Sequence, residues 1–84
     1  MASISGSILG DEYIESYFLC PTCRTYTVAI WRDNFTGLET LQLSGPRSKV
    51  EGDEKVRIIN GCTRPWDKTC RCEAHRAYFG DALD

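Results

Sequence analysis

The chain lacks most of the features that would mark it for a membrane, for nucleic acid or for export. No stretch approaches the roughly 20 consecutive apolar residues that a membrane-spanning helix needs. The formal net charge is −2, so the basic surplus of a general nucleic-acid binder is missing. The first ten residues, MASISGSILG, have neither a charged start nor a long apolar run, and no secretory signal is expected from them. Repeats, low-complexity tracts and linkers are also missing, which leaves one domain. Twelve carboxylates are scattered without a pair suited to acid/base work, so the chain is not expected to be an enzyme.

Cysteine, by contrast, is plentiful. A chain of 84 residues buries only about 60% of its unfolded surface and has a marginal core unless something staples it. Five cysteines offer two staples, disulfides or metal. The count is odd, so full pairing within one chain is impossible, and disulfides belong mostly to exported proteins. A reduced cytoplasmic protein with metal-bound thiolates is the simpler expectation. Three of the five cysteines and the single histidine fall in Cys62–His75, CTRPWDKTCRCEAH. Arg64, Lys68, Arg71 and Arg76 surround this stretch. A zinc ion with three thiolates and one neutral imidazole carries net charge −1, and nearby cations offset it.

Taken in order, residues 1–10 read as a flexible lead-in or as a strand that needs a partner. Glu12–Leu19 reads as a strand running into Cys20-Pro21-Thr22-Cys23, a turn that can aim two sulfurs at one point. A thioredoxin-type dithiol would open a helix here. Thr25–Trp31 is instead rich in β-branched and aromatic residues and predicts a strand. A polar turn over residues 32–37 leads to a second strand from Leu38 to Ser44, which Gly45-Pro46 is expected to end. Ser48 and Glu51 have capping-box spacing. They predict a helix reaching Asn60, with Gly61 as its stop, Val56 and Ile59 on its buried face, and Gly52 as a weak point that could delay its start to Asp53; a strand over Lys55–Ile59 is the alternative. Residues 63–69 read as a loop. A last helix is expected from Glu73 to about Leu83. Trp31 and Trp66 are expected in the core.

Cys72 and His75 stand at i and i+3 and so share one side of that last helix's first turn. The helix N-terminus favours a thiolate at Cys72. Two pincers, Cys20/Cys23 and Cys72/His75, are therefore the expected halves of one tetrahedral Zn2+ site. Cys70-Arg71-Cys72 is the alternative second pincer, with Cys70 in place of His75. Cys62 reads as a small buried apolar residue. A knuckle turn, a hairpin after it and a helix-borne pair together resemble the treble-clef and zinc-ribbon group of small zinc folds, from about Tyr17 onward. The long spacer and two surplus cysteines depart from that pattern.

The fold expected is α+β: a small antiparallel sheet of two or three strands plus one or two helices, stapled by zinc. The resemblance implies a structural zinc ion and a role as a binding or accessory module, with another protein as partner. The alternatives are a nucleic-acid-binding zinc finger using the basic metal end, and a rubredoxin-like iron carrier. A histidine ligand counts against the iron carrier, because such sites use four cysteines.

Overall fold

The computed structural model describes residues 2–34 and 36–80. Four strands, β1 (Ala2–Ile8), β2 (Asp11–Leu19), β3 (Thr25–Asp33) and β4 (Glu39–Ser48), precede two helices, α1 (Lys49–Asn60) and α2 (Glu73–Phe79). The strands pair antiparallel in chain order, β1-β2-β3-β4. The protein is thus α+β, with one sheet, two helices and a group of cysteine and histidine side chains placed to staple them.

Residues 2–8, read from the sequence as part of a flexible lead-in or of a strand that needs a partner, form β1 here, with β2 as the partner. Leu9 and Gly10 both take positive φ, 52° and 84°, and make the two-residue turn that pairs Ile8 with Asp11. That turn geometry matches the twist of the flanking strands. It delivers Ile4 into the core with no exposed surface. β4 does not stop at Gly45-Pro46. It continues to Ser48 across a bulge, because Tyr26 pairs with Arg47 while Val28 pairs with Ser44. β4 is an edge strand, and an edge tolerates a proline that a central strand does not.

Ser48 caps α1 through its side-chain oxygen, which accepts the Glu51 N–H at 3.2 Å. Gly52, the weak point of the sequence pattern, is buried against the Tyr26 ring. A Cβ there would lie 1.9 Å from Tyr26 Cδ2. Glycine therefore gives up helix propensity so that β3 and α1 can approach. Gly61 closes the helix as expected, in right-handed geometry, φ −73°. α2 ends at Phe79. Leu83, expected to belong to it, lies outside the described residues.

Both helices cover one face of the sheet. Ile4, Tyr17, Tyr26, Val28 and Ile59 form the buried cluster there, with Ile30, Val56, Tyr78 and Phe79 packed around it. Tyr78 donates to Glu15 Oε1 at 2.5 Å. Its proton is thereby used, so Tyr17 donates to Tyr78 Oη at 2.8 Å. This chain of hydroxyls fastens α2 to β2. Burial, then Glu15, push the Tyr78 pKa well above the ordinary range. Among the described residues, no helix lies over the opposite face. Ile14, Trp31 and Leu41 are direct neighbours across β2, β3 and β4 on that face. Leu41 and Leu43 are 68% and 69% exposed. Trp66, expected in the core, is 70% exposed.

Candidate metal centre

Cys62, Cys70, Cys72 and His75 converge, with one ligand atom from each lying within 4.8 Å of all the others. Their local chemistry follows from where they sit. Cys62 comes just after the C-cap of α1, and its N–H bonds Ile59 O at 3.1 Å. The chain then turns so that the Arg64 N–H points at Cys62 Sγ, 3.4 Å away. Cys70 ends a short loop whose own turn is made by Asp67, which accepts from Thr69 N–H and Oγ1–H. Cys72 is the N-cap of α2. Its sulfur takes the place that a serine or aspartate oxygen usually fills, accepting the His75 N–H at 3.5 Å.

His75 is fully buried. Its Nε2 donates to Ser5 O at 2.9 Å. The carbonyl can only accept, so the proton sits on Nε2 and Nδ1 presents a free lone pair. Nδ1 lies 3.2 Å from Cys62 Sγ and 3.5 Å from Cys72 Sγ. Cys62 Sγ lies 3.5 Å from Cys72 Sγ and 3.8 Å from Cys70 Sγ. A tetrahedron with Zn–S of about 2.3 Å and Zn–N of about 2.0–2.1 Å has S···S edges of about 3.8 Å and S···N edges of about 3.6 Å. The four separations fall within a few tenths of an ångström of those edges. All five cysteines are free thiols. Three clustered thiols can form at most one disulfide, which would leave the third sulfur and Nδ1 unengaged, whereas a metal ion engages all four atoms.

Without an ion, the thiols differ. Burial raises the Cys62 pKa to about 11. The His75 backbone N–H, pointing at the sulfur, lowers that of Cys72 to about 6. Cys72 is thus ready to ligate at neutral pH, while Cys62 must lose a proton when an ion enters.

The site also reaches the sheet. Ser5 pairs with Ile14, and among the described residues no strand lies on the other side of β1. Both outward backbone groups of Ser5 are satisfied by the cysteine-bearing segment: its N–H by Pro65 O at 2.7 Å and its C=O by His75 Nε2. Lys68 adds an ion pair to Glu12. The segment therefore covers the free edge of β1, the kind of edge that otherwise invites pairing with another chain.

Of the residues expected as ligands, Cys72 and His75 come together, as does the alternative ligand Cys70. Cys20 and Cys23 are not in this group. They occupy the β2–β3 turn, six residues along β2 from the level of Ser5, about 20 Å at the rise of a strand. Cys62, read as a small buried apolar residue, is buried but has its sulfur at the centre of the group. A cysteine directly after a helix stop was the one signal of it in the sequence. At the far turn Cys23 is exposed. Its thiol is held below the ordinary range by hydrogen bonding to Cys20 and then to Thr25.

Fold and site together define a small α+β domain with a part-buried Cys3His group that can hold a metal ion, compatible with a small zinc-binding domain. Comparison with known proteins adds no family: no family model, curated protein or solved structure matches the chain significantly.

Proposed function

We propose that Cys62, Cys70, Cys72 and His75 hold one structural Zn2+ and that the domain serves as a cytoplasmic accessory module binding another protein. The observation that carries the zinc reading is the convergence of three sulfurs and one ring nitrogen within 4.8 Å, four of their separations being close to tetrahedral edges, with the histidine tautomer already set by Ser5. The ion would be closed off by four protein ligands, which is the pattern of structural rather than catalytic zinc. Its contribution when bound is to neutralise three thiolates and tie the end of α1, the start of α2 and the edge of β1 together. Iron electron transfer is the weaker reading, because a histidine stands where that chemistry uses a fourth cysteine. Nucleic-acid binding is weaker too, because the net charge is −2.

Protein binding is supported by exposed apolar side chains that the fold leaves uncovered. Trp66 projects from the loop beside the metal group, and Leu41 and Leu43 project from the open sheet face. Exposed tryptophan is the kind of side chain that anchors protein interfaces, and contiguous exposed apolar surface marks interaction sites. Elemental analysis of the reduced, purified protein tests the first part. Zinc held at the Cys3His group and lost from that group on substituting Cys62 is expected, whereas a red iron-containing protein would replace the reading with the iron one. Affinity capture with wild type, Trp66→Ala and Leu41→Lys tests the second part. A partner retained by the wild type and lost by either variant is expected, while identical capture by all three would remove the interaction reading.

A further inference from the structure

A second dithiol lies outside the Cys3His group and is left unexplained by it. Cys20 and Cys23 sit at the tip of the β2–β3 hairpin. The turn is locked by Cys20 N–H to Thr25 O at 2.9 Å and by Arg24 N–H to Cys20 O at 2.8 Å, with Arg24 in left-handed geometry, φ 56°. The Cys23 N–H points at Cys20 Sγ from 3.4 Å, and Cys23 Sγ contacts Thr25 Oγ1 at 3.2 Å. The same N–H···S arrangement recurs at Cys62 and Cys72 within the buried group, at 3.4 and 3.5 Å. The tip therefore has the local build of a metal knuckle. Among the described residues, no third or fourth ligand accompanies it, because the one group of three or more ligand side chains is the buried one.

We propose that Cys20 and Cys23 are half of a second zinc site, completed by the same two cysteines of a second copy of this chain. Tetrahedral zinc takes four ligands, and each tip supplies two. A tetrahedron has two-fold axes that exchange opposite edges, so two identical pincers meet on one ion under the two-fold symmetry that most homodimers use. Charge agrees. Four thiolates around Zn2+ leave a net charge of −2, and Arg24, next to Cys23 and exposed, brings one cation from each copy. None of the ion pairs among the described residues engages Arg24. Phe18 and Leu19, on the strand leading into the tip, are 45% and 43% exposed. This site shares no ligand with the buried group and stands or falls separately from it.

The test uses the full chain, reduced and supplied with zinc. Molar mass by light scattering and zinc per chain are measured for wild type, Cys20→Ser and Cys23→Ser. Cys23 is exposed on a turn, and a dispersed NMR spectrum of its serine variant verifies that the fold is kept. The expected result is a dimer for wild type and a monomer for each variant, with half an equivalent of zinc less per chain in the variants. Cobalt(II) substitution is expected to show a tetrathiolate absorption in wild type that both variants lack. A wild type that stays monomeric at saturating zinc overturns the proposal, as does a dimer that survives both substitutions. So does an unchanged zinc content in the variants.

Discussion

His75 is held at both ring nitrogens, which makes it the most demanding position in the chain. Its Nε2–H satisfies the Ser5 carbonyl and its Nδ1 faces two sulfurs. A substitution removes a ligand and also strands a backbone acceptor at the edge of β1. His75→Ala is expected to weaken zinc binding more than the 10–100-fold typical of losing an outer-shell partner, read by competition with a chromogenic chelator. Cys62→Ser is expected to do the same. Cys20→Ser, by contrast, is expected to leave zinc at the buried group and the fold intact. Reversal of that order, with Cys20 essential and Cys62 dispensable, would restore the ligand set that the sequence spacing suggests. Gly52 offers a residue-scale test free of metal. Alanine ordinarily stabilises a helix interior by about 1 kcal/mol over glycine. Here the new Cβ meets the Tyr26 ring at 1.9 Å, and that ring is already fixed by edge contact with Tyr17 and by its bond to Asp53. Gly52→Ala is therefore expected to destabilise by about 1–3 kcal/mol, the usual cost of overpacking, in urea unfolding of the zinc-loaded protein.

At the scale of elements, α1 is joined to the sheet through Asp53. Its carboxylate accepts from Tyr26 Oη at 2.7 Å and pairs with Lys49 at 2.6 Å. Lys49, followed by Tyr26, holds the Asp53 pKa below the ordinary aspartate range. A depressed carboxyl stabilises the fold above its unfolded pKa of about 3.9 and loses that contribution as pH falls through the lower folded value. The stability gap between wild type and Asp53→Asn is thus expected to close on acidification in this window. NMR titration is expected to show the Asp53 carboxyl moving up in Tyr26→Phe and in Lys49→Met. α1 itself was legible from Ser48, Glu51 and the Val56/Ile59 face, since capping and periodicity are local properties. β1 was not, because Leu9-Gly10 lacks the Asn-Gly or Asp-Gly signature of a tight hairpin and its serine-rich strand gains its apolar contacts only on pairing. The site divides the same way. Cys72 and His75 are joined by helical spacing within one turn, whereas Cys62 and Cys70 arrive from opposite ends of a loop, and no spacing rule connects them. Cys20 and Cys23 look like the other half of the site in sequence, but the length of β2 carries them away from it.

The whole molecule is a thin slab, with principal extents of 38 × 28 × 18 Å. It has one sheet, one layer of helices and an open apolar face, so its core amounts to a single cluster centred on Ile4, Tyr17, Tyr26, Val28 and Ile59. α2 has only two turns, too short to be helical alone, and it is kept in place by the Tyr78 hydroxyl network and by Cys72 and His75. Small domains have about 5–15 kcal/mol of net stability, and structural zinc sites contribute about 10 kcal/mol or more of apparent binding energy at neutral pH. A zinc ion bound there would therefore contribute a term as large as the whole margin. Withdrawing the ion would leave a buried thiol and a buried imidazole, with α2 held by the Tyr78 hydroxyl network and β1 by its pairing with β2. A strong chelator at neutral pH is expected to collapse the dispersed amide spectrum, beginning with α2, the 62–72 loop and β1, and added zinc is expected to restore it. The order of loss is the informative part. If β1 keeps its hydrogen-exchange protection while α2 melts, the β2 pairing alone sustains that strand, and the site's hold on Ser5 is incidental. If β1 and α2 lose protection together, the bond from His75 Nε2 to Ser5 is what couples the metal to the sheet. A spectrum unchanged after zinc is shown to be gone would remove the structural-zinc reading altogether.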